Sequence, residues 1–160
     1  MRGPAPPDVQ ALVLAGGEGT RLRPLTYTIP KPVIPLAGRP FLSFMLDWLG
    51  THGVTEVILS CGFRSDSVRE VLGDIHSGMR LRYVVEDEPL GTAGPVRLAL
   101  DEGLLEERLL VLNGDVLTDI DLSAQLTSHE ATAAAATLAL IAVEDTASYG
   151  VVPTYEGIGR

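Results

Sequence analysis

The sequence is short of cysteine, of basic charge and of long apolar runs. Cys61 is the only cysteine, which excludes a disulfide framework or a four-cysteine zinc site and makes a reducing cytoplasm the natural setting. The net charge of −9 disfavours general nucleic-acid binding, because phosphate neutralisation supplies most of that affinity. The longest apolar stretch, residues 133–143, is too short to span a bilayer. We therefore expect a cytoplasmic protein that binds neither nucleic acid nor membrane.

Lysine is equally scarce, and the one lysine lies in an unusual place. Lys31 stands against eleven arginines elsewhere in the chain. It falls within residues 11–40, which hold four basic residues and one acidic residue in a chain that is acidic overall. A local basic segment in an acidic protein indicates a site for a small anion.

The apolar pattern predicts an α/β fold. With 160 residues, 46% hydrophobic and 21% charged, the chain has the size and composition of one globular domain. Short apolar runs predict strands at residues 11–15, 56–60, 81–85, 108–112 and 133–143. Helical spacing and start signals predict helices at residues 41–52, 65–72, 92–102 and 123–130. This alternation predicts a mostly parallel sheet covered on both faces, a three-layer Rossmann-like arrangement.

Parallel sheets bind ligands at the carboxyl ends of their strands, and two polar segments fall at that edge. A glycine-rich loop follows the first predicted strand, and Asp115 follows the fourth. Glycines allow backbone N–H groups to approach phosphate oxygens closely. A Walker A loop is excluded because Gly19 precedes Thr20 and Arg21 instead of Lys and Ser or Thr. The dinucleotide fingerprint is excluded because Leu22 stands at its third glycine.

A third interpretation of the loop fits. LAGGEGTRLRPLT at residues 14–26, followed by Pro30-Lys31-Pro32, resembles the signature of the sugar-1-phosphate nucleotidylyltransferases. Three later segments, at residues 86–94, 113–115 and 149–152, resemble that family's base-recognition, metal-binding and sugar-contacting blocks in the same order. The resemblance implies the Rossmann-like nucleotidyltransferase fold and two substrates, a nucleoside triphosphate and a sugar-1-phosphate.

The resemblance also implies residue roles. Catalysis would rest on Arg21, Lys31 and Asp115, and Asp115 would bind Mg²⁺. The nucleotide would contact Leu14, Ala15, Gly16, Gly17, Gly19, Thr20, Arg21, Glu86, Gly91 and Thr92. The sugar would contact Asn113, Gly114, Tyr149 and Gly150. For Arg23 and for Arg39, the sequence favours a place in the site and a place on the surface about equally.

Glu86 bears on the choice of nucleobase. A carboxylate only accepts hydrogen bonds, and guanine presents two adjacent N–H donors, whereas uracil and thymine present a carbonyl at O4. This chemistry favours GTP, and the resemblance of residues 86–95 to the mannose-1-phosphate guanylyltransferases implies mannose-1-phosphate as the sugar substrate and GDP-mannose as the product. A thymidylyl- or uridylyltransferase acting on glucose-1-phosphate, and a non-catalytic regulatory subunit that binds a nucleotide sugar, remain as alternatives.

The chain also departs from the family pattern. Family members continue through a Glu-Lys-Pro segment and a second metal-binding aspartate, and neither is present here. We therefore expect residues 1–8 to be a flexible lead-in and residues 9–160 to be the N-terminal portion of a catalytic domain, incomplete at its C-terminus. An unpaired edge strand after Tyr149 would favour association, which leaves a homo-oligomer open.

Overall fold

The computed structural model describes residues 9–62, 64–86, 88, 90–147, 150–155 and 158–159. The chain divides into two units, Met1–Asp119 and Ile120–Arg160. The predicted lead-in over residues 1–8 lies outside the described residues, and the single domain over residues 9–160 stays a prediction. Within the described ranges, no helix is both long enough and apolar enough to cross a membrane.

The first unit alternates strands and helices. Its strands are β1 (Gln10–Leu14), β2 (Pro35–Leu36), β3 (Arg39–Pro40), β4 (Glu56–Cys61), β5 (Ile75–His76), β6 (Met79–Val85) and β7 (Leu109–Asn113). Its helices are α1 (Phe41–Thr51), α2 (Ser65–Leu72) and α3 (Gly94–Asp101). Between β1 and β2 the chain forms three short 3₁₀ turns, at Thr20–Leu22, Leu25–Tyr27 and Lys31–Val33.

The main sheet has the order β5-β6-β4-β1-β7. β1, β4, β6 and β7 run parallel, and β5 pairs antiparallel with β6. Right-handed crossovers put α1 and α2 on one face, because the chain moves outward from β1 to β6, and α3 on the other, because it then returns to β7. The predicted three-layer, mostly parallel α/β fold is confirmed.

Buried apolar side chains on the central strands hold the helices to the sheet. Leu12 of β1 and Ile58 of β4 form one core with Val84 of β6 and Ala99 of α3. Side chains alternate along a strand, so Val13 and the other odd-numbered core residues of β1 point to the opposite face. Strands buried on both faces read as continuous apolar runs, which is why the sequence revealed them.

Two features of the first unit escape the sequence pattern. The hairpin of β2 with β3 and the edge strand β5 have only two residues in each strand, too few for an alternating pattern to show. The third helix is predicted to begin at residue 92, which makes Thr92 its cap, but α3 begins at Gly94, with Ala93 at the cap position and no side-chain cap hydrogen bond. Pro95 in the first turn starts the helix instead, since its fixed φ suits that position.

The second unit begins with α4 (Leu122–Thr132), where the Asp121 side chain accepts a hydrogen bond from the Ala124 amide at 3.0 Å. The predicted strand at residues 133–143 is wrong: these residues form no regular structure, and Ile141 is 85% exposed. Alanines dominate this segment and offer little side chain to pack against a neighbouring strand. The strand expected after Tyr149 is limited to β8 (Thr154–Tyr155), which pairs antiparallel with β9 (Ile158–Gly159).

The junction of β7 with β1 depends on a glycine. A Cβ at Gly114 would lie 2.9 Å from the Leu14 carbonyl oxygen and 3.1 Å from Val13 Cγ1. We expect Gly114→Ala to lower the free energy of unfolding by about 1–3 kcal/mol, as overpacking against backbone does. Urea unfolding of both proteins measures the difference.

Gly17→Ala is the matched control, because a Cβ there meets nothing within 4 Å. We expect it to change the free energy of unfolding by no more than about 0.5 kcal/mol. Equal urea midpoints for the two variants would contradict a steric requirement at Gly114.

Candidate active site

A cleft lies where the direction of the chain across the sheet reverses. From β1 the chain moves to β4 on one side and later returns to β7 on the other, so the carboxyl ends of β1 and β7 flank a crevice. The crevice has a volume of about 430 Å³. It is lined by Leu14, Ala15, Gly16, Gly17, Lys31, Pro32, Glu86, Gly91, Thr92, Pro95, Asn113, Gly114 and Asp115.

Backbone hydrogen bonds hold the start of the glycine loop on both sides. The Ala15 amide donates to the Ser60 carbonyl of β4 at 2.8 Å, and the Gly114 amide donates to the Leu14 carbonyl at 2.8 Å. A Cβ at Gly16 would lie 2.7 Å from Oε1 of Glu86. The loop therefore passes so close to the Glu86 carboxylate that a side chain at position 16 would displace it.

The loop then turns into a second, adjoining hollow. Gly19 adopts a φ of +63°, in the left-handed region that favours glycine, and its carbonyl accepts a hydrogen bond from the buried Thr26 hydroxyl at 2.9 Å. The second hollow is lined by Gly17, Glu18, Gly19, Thr20, Arg21, Leu22, Lys31 and Asp115. Because Gly17, Lys31 and Asp115 border both hollows, an extended ligand could occupy the two together.

Lys31 and Asp115 form an ion pair at the boundary between the hollows. Lys31 Nζ donates to Asp115 Oδ2 at 2.6 Å. This hydrogen bond lowers the pKa of Asp115, partial burial opposes it, and the charges of Lys31 and then Arg21 lower the pKa further. The carboxylate is therefore ionised at neutral pH and neutralises the one lysine of the cleft.

The arginines of the basic segment are not equivalent. Arg23 pairs with Glu18 at 3.1 Å, and Arg39 pairs with Asp47 of α1 at 2.5 Å. Arg21 is exposed in the second hollow and has no ion pair among the described residues. Of these three guanidinium groups, that of Arg21 is best placed to meet an incoming anion.

The carboxylate of Glu86 is held at the other end of the cleft. Its Oε1 accepts a hydrogen bond from the Ser60 hydroxyl at 2.8 Å, and its Oε2 accepts one from the Leu90 amide at 3.3 Å. Beside it, burial and the charge of Glu86 raise the pKa of Cys61 to about 12. The thiol stays protonated and does not serve as a nucleophile.

The structure brings most of the predicted site residues together. The first hollow contains Leu14, Ala15, Gly16, Gly17, Lys31, Glu86, Gly91, Thr92, Asn113, Gly114 and Asp115. The second adds Gly19, Thr20 and Arg21. Tyr149 lies outside the described residues, and Gly150 is exposed in the second unit, so their sugar contacts stay predictions.

Three residues at the first hollow were not among the predicted ones, and neither were Glu18 and Leu22 of the second hollow. Pro32 and Pro95 line the first hollow, and Ser60 contacts Glu86 from the end of β4. The sequence feature that could have identified Ser60 as a site residue was its position at the carboxyl end of a predicted strand. The signal for Pro95 was its place at the start of a predicted helix.

Comparisons with known proteins show which family the chain resembles. Residues 10–158 match the family model described as "Nucleotidyl transferase". The chain is 41% identical over 150 residues to a mannose-1-phosphate guanylyltransferase of Mycobacterium tuberculosis, covering 93% of this chain and 42% of the relative. It is 35% identical over 146 residues to a D-glycero-α-D-manno-heptose 1-phosphate guanylyltransferase of Aneurinibacillus thermoaerophilus, covering 91% of this chain and 63% of the relative.

A solved structure has the same fold. The crystal structure of HddC from Yersinia pseudotuberculosis complexed with GMP-PN matches with a TM-score of 0.67 and 31% identity. The match covers 76% of this chain and 54% of the Yersinia chain. The present chain thus spans between 42% and 63% of the length of the two curated relatives above.

The ion pair in the cleft makes a prediction about protonation. Lys31→Met should raise the pKa of Asp115 toward its ordinary value of 3.8, because the largest cause of its lowering is removed. Carboxyl ¹³C chemical shifts measured against pH report this pKa directly. Arg21→Met should raise it less, since Arg21 is the smallest of the causes.

The same pair contributes to stability in a defined pH range. Because the folded-state pKa is lowered, the contribution is present above about pH 4 and is lost as the pH falls through the folded-state pKa. An Asp115 pKa that is unchanged in Lys31→Met would contradict the pairing.

Proposed function

The chain belongs to the nucleotidyl transferase family, and from that premise we propose that its cleft binds GTP and mannose-1-phosphate for the synthesis of GDP-mannose. One observation carries the proposal. The glycine loop, Arg21, Lys31 and the Glu86 carboxylate all border two adjoining hollows at the carboxyl ends of β1 and β7. The names of the relatives above supply the substrate class. Because the chain spans only part of those relatives, the activity is proposed for the whole protein.

The reaction places an electrostatic demand on this site. A phosphate oxygen of the sugar-1-phosphate forms a bond to the α-phosphorus of GTP, and the bond to the bridging oxygen of the β-phosphate breaks, releasing pyrophosphate. The nucleophile is already an anion, so no general base is required. The site must instead attract two anions and stabilise the charge on the leaving group.

The basic side chains would bind and stabilise the phosphate groups in different ways. Arg21, planar and unpaired among the described residues, would stabilise the triphosphate and the departing pyrophosphate through its N–H donors. Lys31 would exchange its Asp115 partner for a phosphate oxygen. Gly16, Gly17 and Gly19 would let backbone amides approach the phosphates, with Thr20 beside them.

Asp115 is the residue that we propose as a ligand to Mg²⁺. Its carboxylate supplies the hard oxygen that Mg²⁺ prefers, and Lys31 holds it at the boundary of the two hollows. Among the described residues, no group of three His, Cys, Asp or Glu side chains could hold a metal ion. We therefore assign Asp115 as the ligand that the described part of this chain would contribute to Mg²⁺, beside the phosphate oxygens of the substrates. When bound, the ion would neutralise phosphate charge.

Glu86 favours guanine over the other bases. Its carboxylate lines the cleft and can accept from the adjacent N1–H and N2–H groups of guanine. Both curated relatives above are named as guanylyltransferases, and the Yersinia structure is described as a complex with GMP-PN. The two relatives differ in their sugar, mannose or a manno-heptose, and the higher identity favours mannose. Asn113, Gly114 and Gly150, with Tyr149, stay the proposed sugar contacts, and a homo-oligomer and a cytoplasmic location also stay predictions.

Calorimetric titration of the 160-residue chain with GTP in the presence of Mg²⁺ tests the phosphate site. We expect GTP to bind, and Arg21→Ala to weaken binding by about tenfold to a hundredfold, the loss of a hydrogen bond to a charged group. Arg39→Ala is the matched control, since Arg39 pairs with Asp47 and should leave the affinity within twofold. If both variants lost affinity equally, Arg21 would have no specific role. Single-turnover release of pyrophosphate with mannose-1-phosphate would then separate an enzyme from a regulatory subunit.

The same titration with dTTP and UTP tests the base assignment. We expect the wild-type chain to prefer GTP, and Glu86→Gln to weaken GTP binding while dTTP or UTP binding improves, because an amide both donates and accepts. Asp47→Asn, which alters a carboxylate on α1 outside the cleft, is the control. A GTP preference that survives Glu86→Gln would exclude Glu86 from base recognition.

A further inference from the structure

A buried serine hydroxyl holds the carboxylate of Glu86. Ser60 is completely buried in β4, between β1 and β6, and its hydroxyl donates to Glu86 Oε1 at 2.8 Å. The Ser60 carbonyl also accepts the Ala15 amide at 2.8 Å. One residue therefore sets the position of both the start of the glycine loop and the carboxylate that faces it.

Glu86 is confined from two further directions. Its Oε2 accepts from the Leu90 amide at 3.3 Å, and its Oε1 lies close to the backbone of Gly16, 2.7 Å from where a Cβ of that residue would stand. A glutamate at a cleft wall ordinarily samples several rotamers. Here β4, the glycine loop and the segment after β6 each restrict it. A carboxylate has about four acceptor positions, so two remain for a ligand.

We propose that Ser60 is a positioning residue that sets the nucleobase selectivity of the cleft by fixing the Glu86 carboxylate in the orientation that receives two adjacent N–H donors. The inference rests on the proposed GTP-binding function. Two parallel hydrogen bonds require both carboxylate oxygens to lie in the plane of the base, whereas a single bond tolerates rotation. Loss of the Ser60 hydroxyl should therefore weaken the second hydrogen bond, which Glu86 accepts from guanine N2–H, more than the first, which it accepts from N1–H.

Inosine triphosphate isolates that second bond. Its base keeps the N1–H of guanine and lacks the N2 amino group, while its triphosphate and ribose are unchanged. The ratio of the dissociation constants of ITP and GTP measures the contribution of N2–H alone. A change in protein stability or in phosphate binding affects both ligands equally and leaves this ratio constant.

The experiment is calorimetric titration of the full 160-residue chain with GTP and with ITP, each with Mg²⁺. We expect the wild type to bind GTP about tenfold more tightly than ITP, and Ser60→Ala to reduce that ratio to about threefold or less. Ser43→Ala is the matched control, because Ser43 is a buried serine of α1 away from the cleft. It should keep the tenfold ratio.

Each outcome of the titrations either supports or overturns the proposed role of Ser60. A wild-type chain that binds no GTP overturns the proposed function and this inference with it. A wild-type chain that prefers GTP, with the same ratio in Ser60→Ala, overturns only the role of Ser60. If circular dichroism shows Ser60→Ala to be unfolded, Ser60→Cys replaces it. That side chain has nearly the same shape with a weak donor, so the ratio should again fall, and an unchanged ratio overturns the inference.

Discussion

Close backbone contact between the ends of three strands is the constraint on which the cleft depends. The Ala15 amide reaches across to β4, and the Gly114 amide reaches back to the Leu14 carbonyl of β1. A Cβ at Gly62 would lie 2.9 Å from the Gly16 carbonyl oxygen, so glycines are required where the loops cross. This approach places Asp115, just beyond Gly114, opposite the loop that carries Lys31.

The charges of the cleft follow from that placement. An acidic protein concentrates basic residues in one loop, and the fold then neutralises most of them with its own carboxylates. Arg39 pairs with Asp47 of α1, Arg23 pairs with Glu18 at the second hollow, and Lys31 pairs with Asp115 between the two hollows. On the proposed function, a bound triphosphate would replace Asp115 as the partner of Lys31 and release that carboxylate to a metal. The Asp115 carboxylate thus gives the partly buried ammonium group of Lys31 a partner within the chain.

The sequence predicted the elements that have a strong local signature. The four parallel strands are rich in apolar residues, although β6 includes Arg80 and Arg82, and their ends were predicted to within about two residues. The segment at residues 133–143 was also apolar, but its alanines form no strand, since a strand forms only where its side chains find a neighbour. Apolar composition alone therefore does not separate a strand from an irregular segment.

The features of the candidate site also separate into those that a local sequence pattern predicts and those that it does not. Sequence alone determined that a glycine-rich, basic loop follows β1 and that an aspartate follows β7, because glycine content, basic charge and position after an apolar run are all local properties. Only the tertiary structure decided that Lys31 pairs with Asp115 and that Ser60 holds Glu86. The residues of these pairs lie 84 and 26 positions apart along the chain. Their contact depends on strand order and on side-chain geometry, which no local pattern records.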